Sequence, residues 1–170
     1  MGNGGEAWRM DPHVRRKAHQ LASFYGREKY SIDHKGRITI PASMRRDVSE
    51  RKAVTHFYLT PGFDGCLALY GSDGWQQVEN RLRDLPMGKR EARAFVRAFL
   101  SDVHKVTVDS QGRISVPPSL MSRAGLGKEA VLHGVMDRIE IWHPNRWAEE
   151  QAVASDSLED IAAKLLGGDS

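Results

Sequence analysis

The stretch Ser31-Ile-Asp-His-Lys-Gly-Arg-Ile-Thr-Ile-Pro41 decides the fold, because the chain carries it a second time as Thr107-Val-Asp-Ser-Gln-Gly-Arg-Ile-Ser-Val-Pro117. When residues 30–43 are aligned with residues 106–119, six of the fourteen positions are identical and four more are conservative. Since only two copies are present, the pattern indicates an internal duplication rather than a long repeat array.

The likeness extends beyond the quoted stretch. Leu67–Tyr70 matches Ile139–Trp142, and Trp75 matches Trp147 at the same spacing. Each unit therefore spans about 45 residues and ends on an aromatic side chain before a helix. A unit of this size with short strands cannot bury its own apolar face. We expect it to pack against its twin, against a neighbouring subunit, or against both.

Each copy of the stretch predicts a strand, a tight turn and a second strand. Ile38-Thr-Ile40 and Ile114-Ser-Val116 alternate apolar and polar side chains and are rich in β-branched residues, as half-buried strands are. The preceding Asp-x-x-Gly is turn chemistry, since Asp accepts bonds from backbone amides and Gly adopts a positive φ. Pro41 and Pro117 are expected to end the strands because proline donates no hydrogen bond.

The rest of each unit predicts a short helix followed by a strand pair. In the first unit we expect these at Ala42–Arg46, His56–Thr60 and Leu67–Tyr70, and in the second at Ser119–Ala124, Ala130–Leu132 and Arg138–Trp142. Asp64-Gly65 marks the first hairpin turn. Gly125 is expected to stop the short helix of the second unit.

A helical insert is predicted between the two units. Asp73 is expected to N-cap its first helix, and Pro86 with Gly88 should break the helix. Apolar faces at helical spacing are carried by Trp75, Val78, Leu82 and Leu85 in the first helix and by Phe95, Val96, Phe99 and Leu100 in the second. At the C-terminus we expect one helix to start at Pro144 and a last amphipathic segment to be capped by Ser157.

The predicted fold class is α+β, mainly β. We divide the chain into an N-terminal extension expected to be disordered (1–22), a first unit (23–72), the helical insert (73–101), a second unit (102–146) and a C-terminal helical tail (147–170).

The charge is small in total but unevenly distributed. The net charge is +3, yet residues 1–60 hold twelve Lys/Arg against six Asp/Glu, while residues 142–170 hold two against six. This asymmetry fits a protein with one face that meets a polyanion. It equally fits a solvated basic surface with a solubilising acidic tail, and the charges alone leave both readings open.

The cysteine count and the lack of long apolar runs bear on localisation. The single cysteine, Cys66, excludes an intramolecular disulfide and fits a reducing compartment. No apolar run approaches the ~18 residues that a membrane span requires. We therefore expect a cytoplasmic protein without a membrane partner.

The candidate functional residues are two Asp–Arg pairs, Asp33 with Arg37 and Asp109 with Arg113. One interpretation is purely structural, since an Asp that accepts turn amides and faces an Arg staples the turn. The other is functional, because Lys35 lies at the turn tip and Arg45-Arg46 follow the strand. An Arg held by Asp is pre-organised for phosphate or for guanine.

Other chemistries find little support in the sequence. The seven histidines show no metal-ligand spacing, and no nucleophile–base pair is evident. Cys66 heads an apolar strand and is interpreted as core, and Gly125-Leu-Gly127-Lys128 as a helix stop and turn rather than a phosphate loop. The basic helix at 89–97 is interpreted as a solvated face. We expect no enzyme activity, no catalytic residue, no metal, no cofactor and no small-molecule substrate.

The paired D-x-x-G-R-I-x-[IV]-P motifs, with the helical insert between them, resemble the MraZ family of bacterial regulators in the SpoVT/AbrB superfamily. The resemblance covers about Phe24 to Trp147, and it includes Phe24-Tyr-Gly26 ahead of the first motif and Ile139-Glu-Ile-Trp142 in the second. It implies two AbrB-like swapped-hairpin half-barrels per chain, assembled into a ring of subunits. It also implies a nucleoid-associated regulator, expected to be a repressor, that binds repeats of double-stranded DNA in the promoter of the division and cell-wall gene cluster.

The resemblance also implies residue roles. The motif arginine is the main DNA contact in the family, which carries over to Arg37 and by position to Arg113. Lys35, Arg45 and Arg46 match basic positions used in the superfamily, while Asp33, Gly36, Asp109 and Gly112 support the turns. The second unit has Gln111, Met121 and Ser122 at the basic positions. We therefore expect it to hold phosphate more weakly than the first.

A second class of function stays open. Antitoxins of the same superfamily use the same barrel and bind a toxin through a C-terminal tail. The acidic, amphipathic segment 157–166 could serve such a protein–protein contact. Against this reading, antitoxins usually carry one barrel unit and a longer flexible tail.

Overall fold

The computed structural model describes residues 23–45, 54–155 and 157–167. The strands are Arg27–Ser31 (β1), Arg37–Thr39 (β2), His56–Pro61 (β3), Leu67–Tyr70 (β4), His104–Thr107 (β5), Arg113–Ser115 (β6), Glu129–Val135 (β7) and Arg138–Trp142 (β8). The α-helices are Ser72–Arg83 (α1), Arg90–Ser101 (α2), Pro118–Arg123 (α3), Pro144–Ser155 (α4) and Leu158–Leu166 (α5), and Ala42–Met44 forms a 3-10 turn. The α+β class predicted from the sequence is confirmed, and the strands pair antiparallel. The expectation that the chain is mainly β is not met, because the described helices contain more residues than the described strands.

The strand order of the main sheet is symmetric with respect to the two repeat units. Its six antiparallel strands follow the order β1-β7-β8-β4-β3-β5. If β1 is exchanged with β5, β7 with β3 and β8 with β4, the order is unchanged, and these are the strands that the sequence repeat equates. The two units are thus related by a pseudo-twofold axis that passes between β8 and β4.

Each unit gives its first strand to the other unit. Strand β1 pairs with β7, so that Arg27 lies opposite His133 and Ser31 opposite Glu129. Strand β5 of the second unit pairs in turn with β3 of the first. The expectation that a unit packs against its twin is therefore confirmed within one chain.

The remaining two strands, β2 and β6, form a separate antiparallel ribbon on the pseudo-twofold axis. Ile38 lies opposite Ile114 at its centre, and both side chains are buried. Two equivalent backbone hydrogen bonds extend the ribbon, one at each end. The Ile40 amide donates to the Gly112 carbonyl, and the Val116 amide donates to the Gly36 carbonyl, each at 2.9 Å.

One continuous core serves both units. Ile38, Ile114 and Leu120 pack with sheet residues such as Phe57 and Leu132 in the same buried cluster. Burying an aliphatic or aromatic side chain stabilises the fold by roughly 1.5–3 kcal/mol. Since each unit supplies about half of this cluster, neither unit is expected to fold without the other.

The helical insert packs against the first unit through a series of stacked aromatic rings. Tyr58 stacks on Trp75 of α1 with ring centroids 5.1 Å apart, Trp75 on Phe99 of α2 at 6.4 Å, and Phe99 on Phe95 at 5.9 Å. The outermost ring, that of Phe95, is about half exposed. None of the residues of α2 is fully buried by the rest of the chain.

The predicted elements were close to those observed, with differences of one to three residues. Strands β4 and β8 have the predicted bounds, and the Asp64-Gly65 turn is confirmed by a positive φ at both residues. The strands at Ile38–Ile40 and Ile114–Val116 begin and end one residue earlier, because Ile40 and Val116 bond to the opposite turn instead of continuing the ribbon. Strand β7 is longer than predicted because it spans both β1 and β8.

Two helix caps were assigned wrongly or incompletely. Gly71, not Asp73, is the N-cap of α1. Asp73 lies in the first turn, where its negative charge interacts favourably with the helix dipole. Ser157 does hold the N-cap position of α5, but its hydroxyl donates to the Val153 carbonyl rather than capping the helix. In the described part of the chain, no helix is long and apolar enough to cross a membrane.

Candidate nucleic-acid interface

The first turn is built around the carboxylate of Asp33. One oxygen, Oδ1, accepts from the amides of Lys35 and Arg37, both at 2.9 Å. The other, Oδ2, accepts from Nε of Arg37 at 2.6 Å. Gly36 has φ +73°, a conformation that costs an L side chain free energy, which explains glycine at this position. The carboxylate thus fixes the loop and its arginine together.

The second turn repeats this geometry. Asp109 Oδ1 accepts from the amides of Gln111 at 2.8 Å and Arg113 at 2.9 Å, and Oδ2 accepts from Nε of Arg113 at 2.8 Å. Gly112 has φ +77°. Both Asp–Arg pairs therefore have the geometry of a turn staple. It does not exclude a binding role, because stapling orients the guanidinium.

Ionisation of the two carboxylates is favoured by the same contacts. The backbone amide of Arg37, followed by its guanidinium and the amide of Lys35, lowers the pKa of Asp33 from 3.8 to about 2. The pKa of Asp109 is lowered for corresponding reasons, with the Arg113 amide first. Both turns stay charged and closed at any pH near neutrality.

The ribbon brings the two arginines onto one solvent-facing surface. Arg37 lies opposite Ser115 and Arg113 opposite Thr39, so all four side chains project from the face that is opposite to Ile38 and Ile114. Diagonal neighbours in an antiparallel pair lie about 7–8 Å apart. The Arg37 side chain is 28% exposed and that of Arg113 is 26% exposed.

The ion pairs leave much of each guanidinium available. Asp33 and Asp109 engage only Nε of their arginines. Within the described residues, the terminal nitrogens of Arg37 and Arg113 donate to no protein acceptor. Two such groups on one face match the bidentate acceptors of guanine or a pair of phosphate oxygens.

Arg45 lies beside the second turn, not the first. Its Nε donates to the Ile40 carbonyl at 2.7 Å. A Cβ on Gly112 would lie 2.5 Å from the Arg45 guanidinium carbon, so the side chain covers that glycine. The sequence placed Arg45 with Lys35 and Arg37 as one basic group. Because the chain crosses to the other unit at the ribbon, Arg45 lies beside the second turn instead.

The first turn is flanked in the same way by the second unit. A groove beside it is lined by Lys35 and Gly36 on one side and by Met121, Ser122 and Lys128 on the other. Met121 and Ser122, which replace Arg45 and Arg46 in the repeat, therefore neighbour the first turn. The basic complement is shared between the turns, because Lys35 belongs to one and Arg45 to the other.

The remaining predicted site residues are placed as follows. Lys35 is exposed at the tip of the first turn, and Arg46 lies outside the described residues. Lys128, which the sequence analysis interpreted only as part of a turn, also lines the groove beside the first turn. Its signal would have been the strand exchange, which no local pattern reveals.

Residues proposed to be structural are buried or paired. Cys66 is buried, and burial raises the pKa of its thiol to about 12, so the thiolate is strongly disfavoured near neutral pH. On α2, Arg93 donates to the carbonyls of Met87 and Gly88 and thereby closes the turn ahead of the helix. Among the described residues, no cluster of three or more His, Cys, Asp or Glu side chains could hold a metal ion.

Comparison with known proteins gives two consistent results. Residues 23–98 and 99–168 each match the family described as "MraZ protein, putative antitoxin-like". Over 142 residues the chain is 43% identical to the "Transcriptional regulator MraZ" of Alkaliphilus oremlandii (strain OhILAs), an alignment that covers 84% of this chain and 96% of that protein. The two family matches meet near the C-terminal end of α2, between residues 98 and 99, and each contains one copy of the repeat.

Proposed function

Since the chain belongs to the MraZ family, we propose that it is a transcriptional regulator that binds double-stranded DNA in a sequence-specific way. In line with the family resemblance, its proposed targets are tandem repeats in the promoter of the division and cell-wall gene cluster, with repression as the outcome. A regulator of this kind acts in the cytoplasm, at the nucleoid.

The observation that carries the proposal is the arginine pair on the ribbon face. A two-stranded antiparallel ribbon fits the major groove of B-DNA. Arg37 and Arg113 project from its solvent face, and each is held in place by an aspartate. Because the aspartates already hold the arginine side chains in place, DNA binding does not have to order them. The loss of side-chain entropy on binding is therefore smaller, and the affinity is higher.

The ribbon geometry supports a specific spacing of the proposed contacts. Side chains about 7–8 Å apart span about two base pairs at ~3.4 Å per pair. We propose that Arg37 and Arg113 each contact one guanine, or a guanine and an adjoining phosphate. Lys35 and Arg45 add sequence-independent contacts to the backbone.

A mobility-shift assay with DNA from upstream of the gene tests the function. Arg37→Ala is expected to weaken binding to this DNA by about 1–3 kcal/mol, the worth of one bidentate base contact. The circular dichroism spectrum should stay unchanged, because the side chain is partly exposed and packs in no core. Arg97→Ala, which removes an arginine from an exposed position of α2, serves as the control and is expected to bind like wild type. Normal binding by Arg37→Ala would contradict the assignment.

We further propose that the protein assembles into a ring through the insert. Phe95 and Leu100 on α2 are 46% and 44% exposed, an unusual state for large apolar side chains on a strongly amphipathic helix. Phe95→Glu should lower the native mass, whereas Arg97→Glu on the same helix should not. A ring also presents several ribbons to tandem repeats, and avidity of ~10²–10⁴ then follows.

A second candidate, an antitoxin-like interaction module, has one specific observation in its favour. On α5, Leu165 and Leu166 are 79% and 84% exposed, and Glu159 with Asp160 makes its first turn acidic. Such a helix suits a groove on a basic partner. Removing residues 156–170 should abolish co-purification of that partner if this reading holds, and should leave DNA binding intact.

We also propose that the units at 23–72 and 102–146 correspond to AbrB-like half-barrels with swapped hairpins, with the insert at 73–101 and the tail at 147–170 as additions. The exchange of β1 and β5 between the units supports this reading.

A further inference from the structure

We propose that the groove beside the first turn binds the sugar-phosphate backbone of DNA, with Lys128 as its principal cation. The inference rests on the proposed DNA binding and adds a contact from the unit that was expected to contribute less. It concerns phosphate rather than bases, so it makes predictions that the ribbon arginines do not.

The groove is an open cleft between the two units, with a volume of about 860 Å³. The first turn forms one wall through His34, Lys35 and Gly36, and the other wall carries Met121, Ser122 and Lys128. The carboxylate of Asp33 also lines the cleft, but its charge is taken up by Arg37 and by the turn amides. The uncompensated charge of the cleft is positive.

Lys128 is positioned by the main chain. The Ile32 amide donates to the Lys128 carbonyl at 2.8 Å, directly before Asp33 begins the turn. This bond fixes the Cα of Lys128 against the turn, while its side chain stays exposed. Lys128 forms no ion pair with any described residue, so its ammonium group is available to a phosphate.

A second cleft continues the first. It has a volume of about 590 Å³ and shares Ser31, Gly127 and Lys128 with its neighbour. Lys29 also lines it, but its ammonium group is paired with Glu129 at 2.9 Å. Lys128 is therefore the cation common to both clefts. A channel that is open along its length suits a polymer of phosphates better than a single enclosed anion.

Beside the second turn, the position that corresponds to Lys128 is held by an uncharged residue, Thr55. There the Val108 amide donates to the Thr55 carbonyl at 2.9 Å, as the Ile32 amide does to Lys128. The pseudo-twofold axis therefore relates a lysine to a threonine. The backbone of the DNA should be held more firmly on the first-turn side at this position.

The salt dependence of binding tests the inference. Affinity is measured from 50 to 200 mM salt on two duplexes, the upstream promoter DNA and a scrambled duplex of equal length, for wild type, Lys128→Ala, Lys128→Arg and Lys164→Ala. Each phosphate contact adds ~0.9 to the slope of log K against log salt. Lys128→Ala should lower the slope by about 0.9 on both duplexes, so that the wild type loses roughly 3.5-fold more affinity than the variant over this range.

The controls separate this inference from the proposed function. Lys128→Arg should keep the wild-type slope, and Lys164→Ala, which removes one positive charge from α5, should keep it too. An unchanged slope in Lys128→Ala, or a loss confined to the promoter duplex, would overturn the inference. If the wild type shows no preference for the promoter duplex, the proposed function fails instead.

Discussion

The two turns, Asp33–Arg37 and Asp109–Arg113, have the same internal bonds and different neighbours. Each carboxylate accepts two backbone amides and the Nε of its arginine, at distances that agree within about 0.2 Å. Around them, the first turn has Lys35 and Lys128, while the second has Gln111 and Arg45. The duplication has preserved the turn and its arginine, and divergence has changed the charges that surround them.

The comparison shows that a basic residue does not belong to the turn nearest to it in sequence. At the ribbon the chain crosses the pseudo-twofold axis. Arg45 therefore lies away from the first turn and covers Gly112 of the second. The asymmetry in the sequence is real, but in the folded chain its charges are distributed over both turns.

The largest expected effect comes from removing both ribbon arginines. Arg37→Ala with Arg113→Ala should remove about 2–6 kcal/mol of discrimination between promoter and scrambled DNA, because a bidentate base contact is worth ~1–3 kcal/mol. Competition binding measures this ratio. Each single variant should lose about half of it, and a single variant that keeps the full ratio would show that the turns are not equivalent readers.

A smaller effect is expected at the ribbon centre. Ile38→Ala and Ile114→Ala should each lower the free energy of unfolding by about 2–5 kcal/mol, since both side chains are fully buried. Urea unfolding measures the two values. Because the residues face each other across the axis, their losses should be similar, and a clearly unequal pair would contradict a shared core.

Removing the charge of either staple should have a still smaller effect. Asp33→Asn and Asp109→Asn retain an oxygen for the turn amides but lose the ion pair with the arginine. We expect each to weaken promoter binding by about 1 kcal/mol, the cost of ordering a long side chain, with little change on scrambled DNA. Stronger binding by either variant would show that the carboxylate competes with DNA for the arginine.

Arg45→Ala and Met121→Ala form a matched pair, because the repeat places both residues at the same position. Arg45→Ala should reduce the salt slope by about 0.9, whereas Met121→Ala should leave it unchanged. Fluorescence anisotropy titrations at several salt concentrations give both slopes. Equal slopes in the two variants would remove Arg45 from the interface.

The smallest effect concerns pH. Because the folded-state pKa of Asp33 is depressed from 3.8 to about 2, its stabilising contribution is complete above 3.8 and is lost as the pH falls through about 2. Carbon-13 NMR of the carboxyl group should show Asp33 still ionised at pH 3. In Arg37→Ala the pKa should rise only in part, because the two backbone amides remain. A midpoint near 3.8 in the wild type would contradict the staple.

Much of the fold follows from the sequence, because the repeat, the alternation and the turn residues are local signals. Strands β4 and β8 and the Asp64-Gly65 turn were predicted at their observed positions for this reason. The exchange of β1 and β5 was not derivable from those local patterns, since it depends on which of two similar edges a strand pairs with. The Asp–Arg pairs were found from their spacing, but the positions of Arg45 and Lys128 depend on that exchange.

The central claim is that two turns related by the axis present two arginines to two positions of one site, about two base pairs apart. It is tested most directly by measuring the affinities of Arg37→Ala and Arg113→Ala for a set of operators that carry every single-base substitution. The account predicts that each variant loses discrimination at one position, and that these positions lie about two base pairs apart. Loss at the same position in both variants, or undiminished discrimination in either, would contradict it.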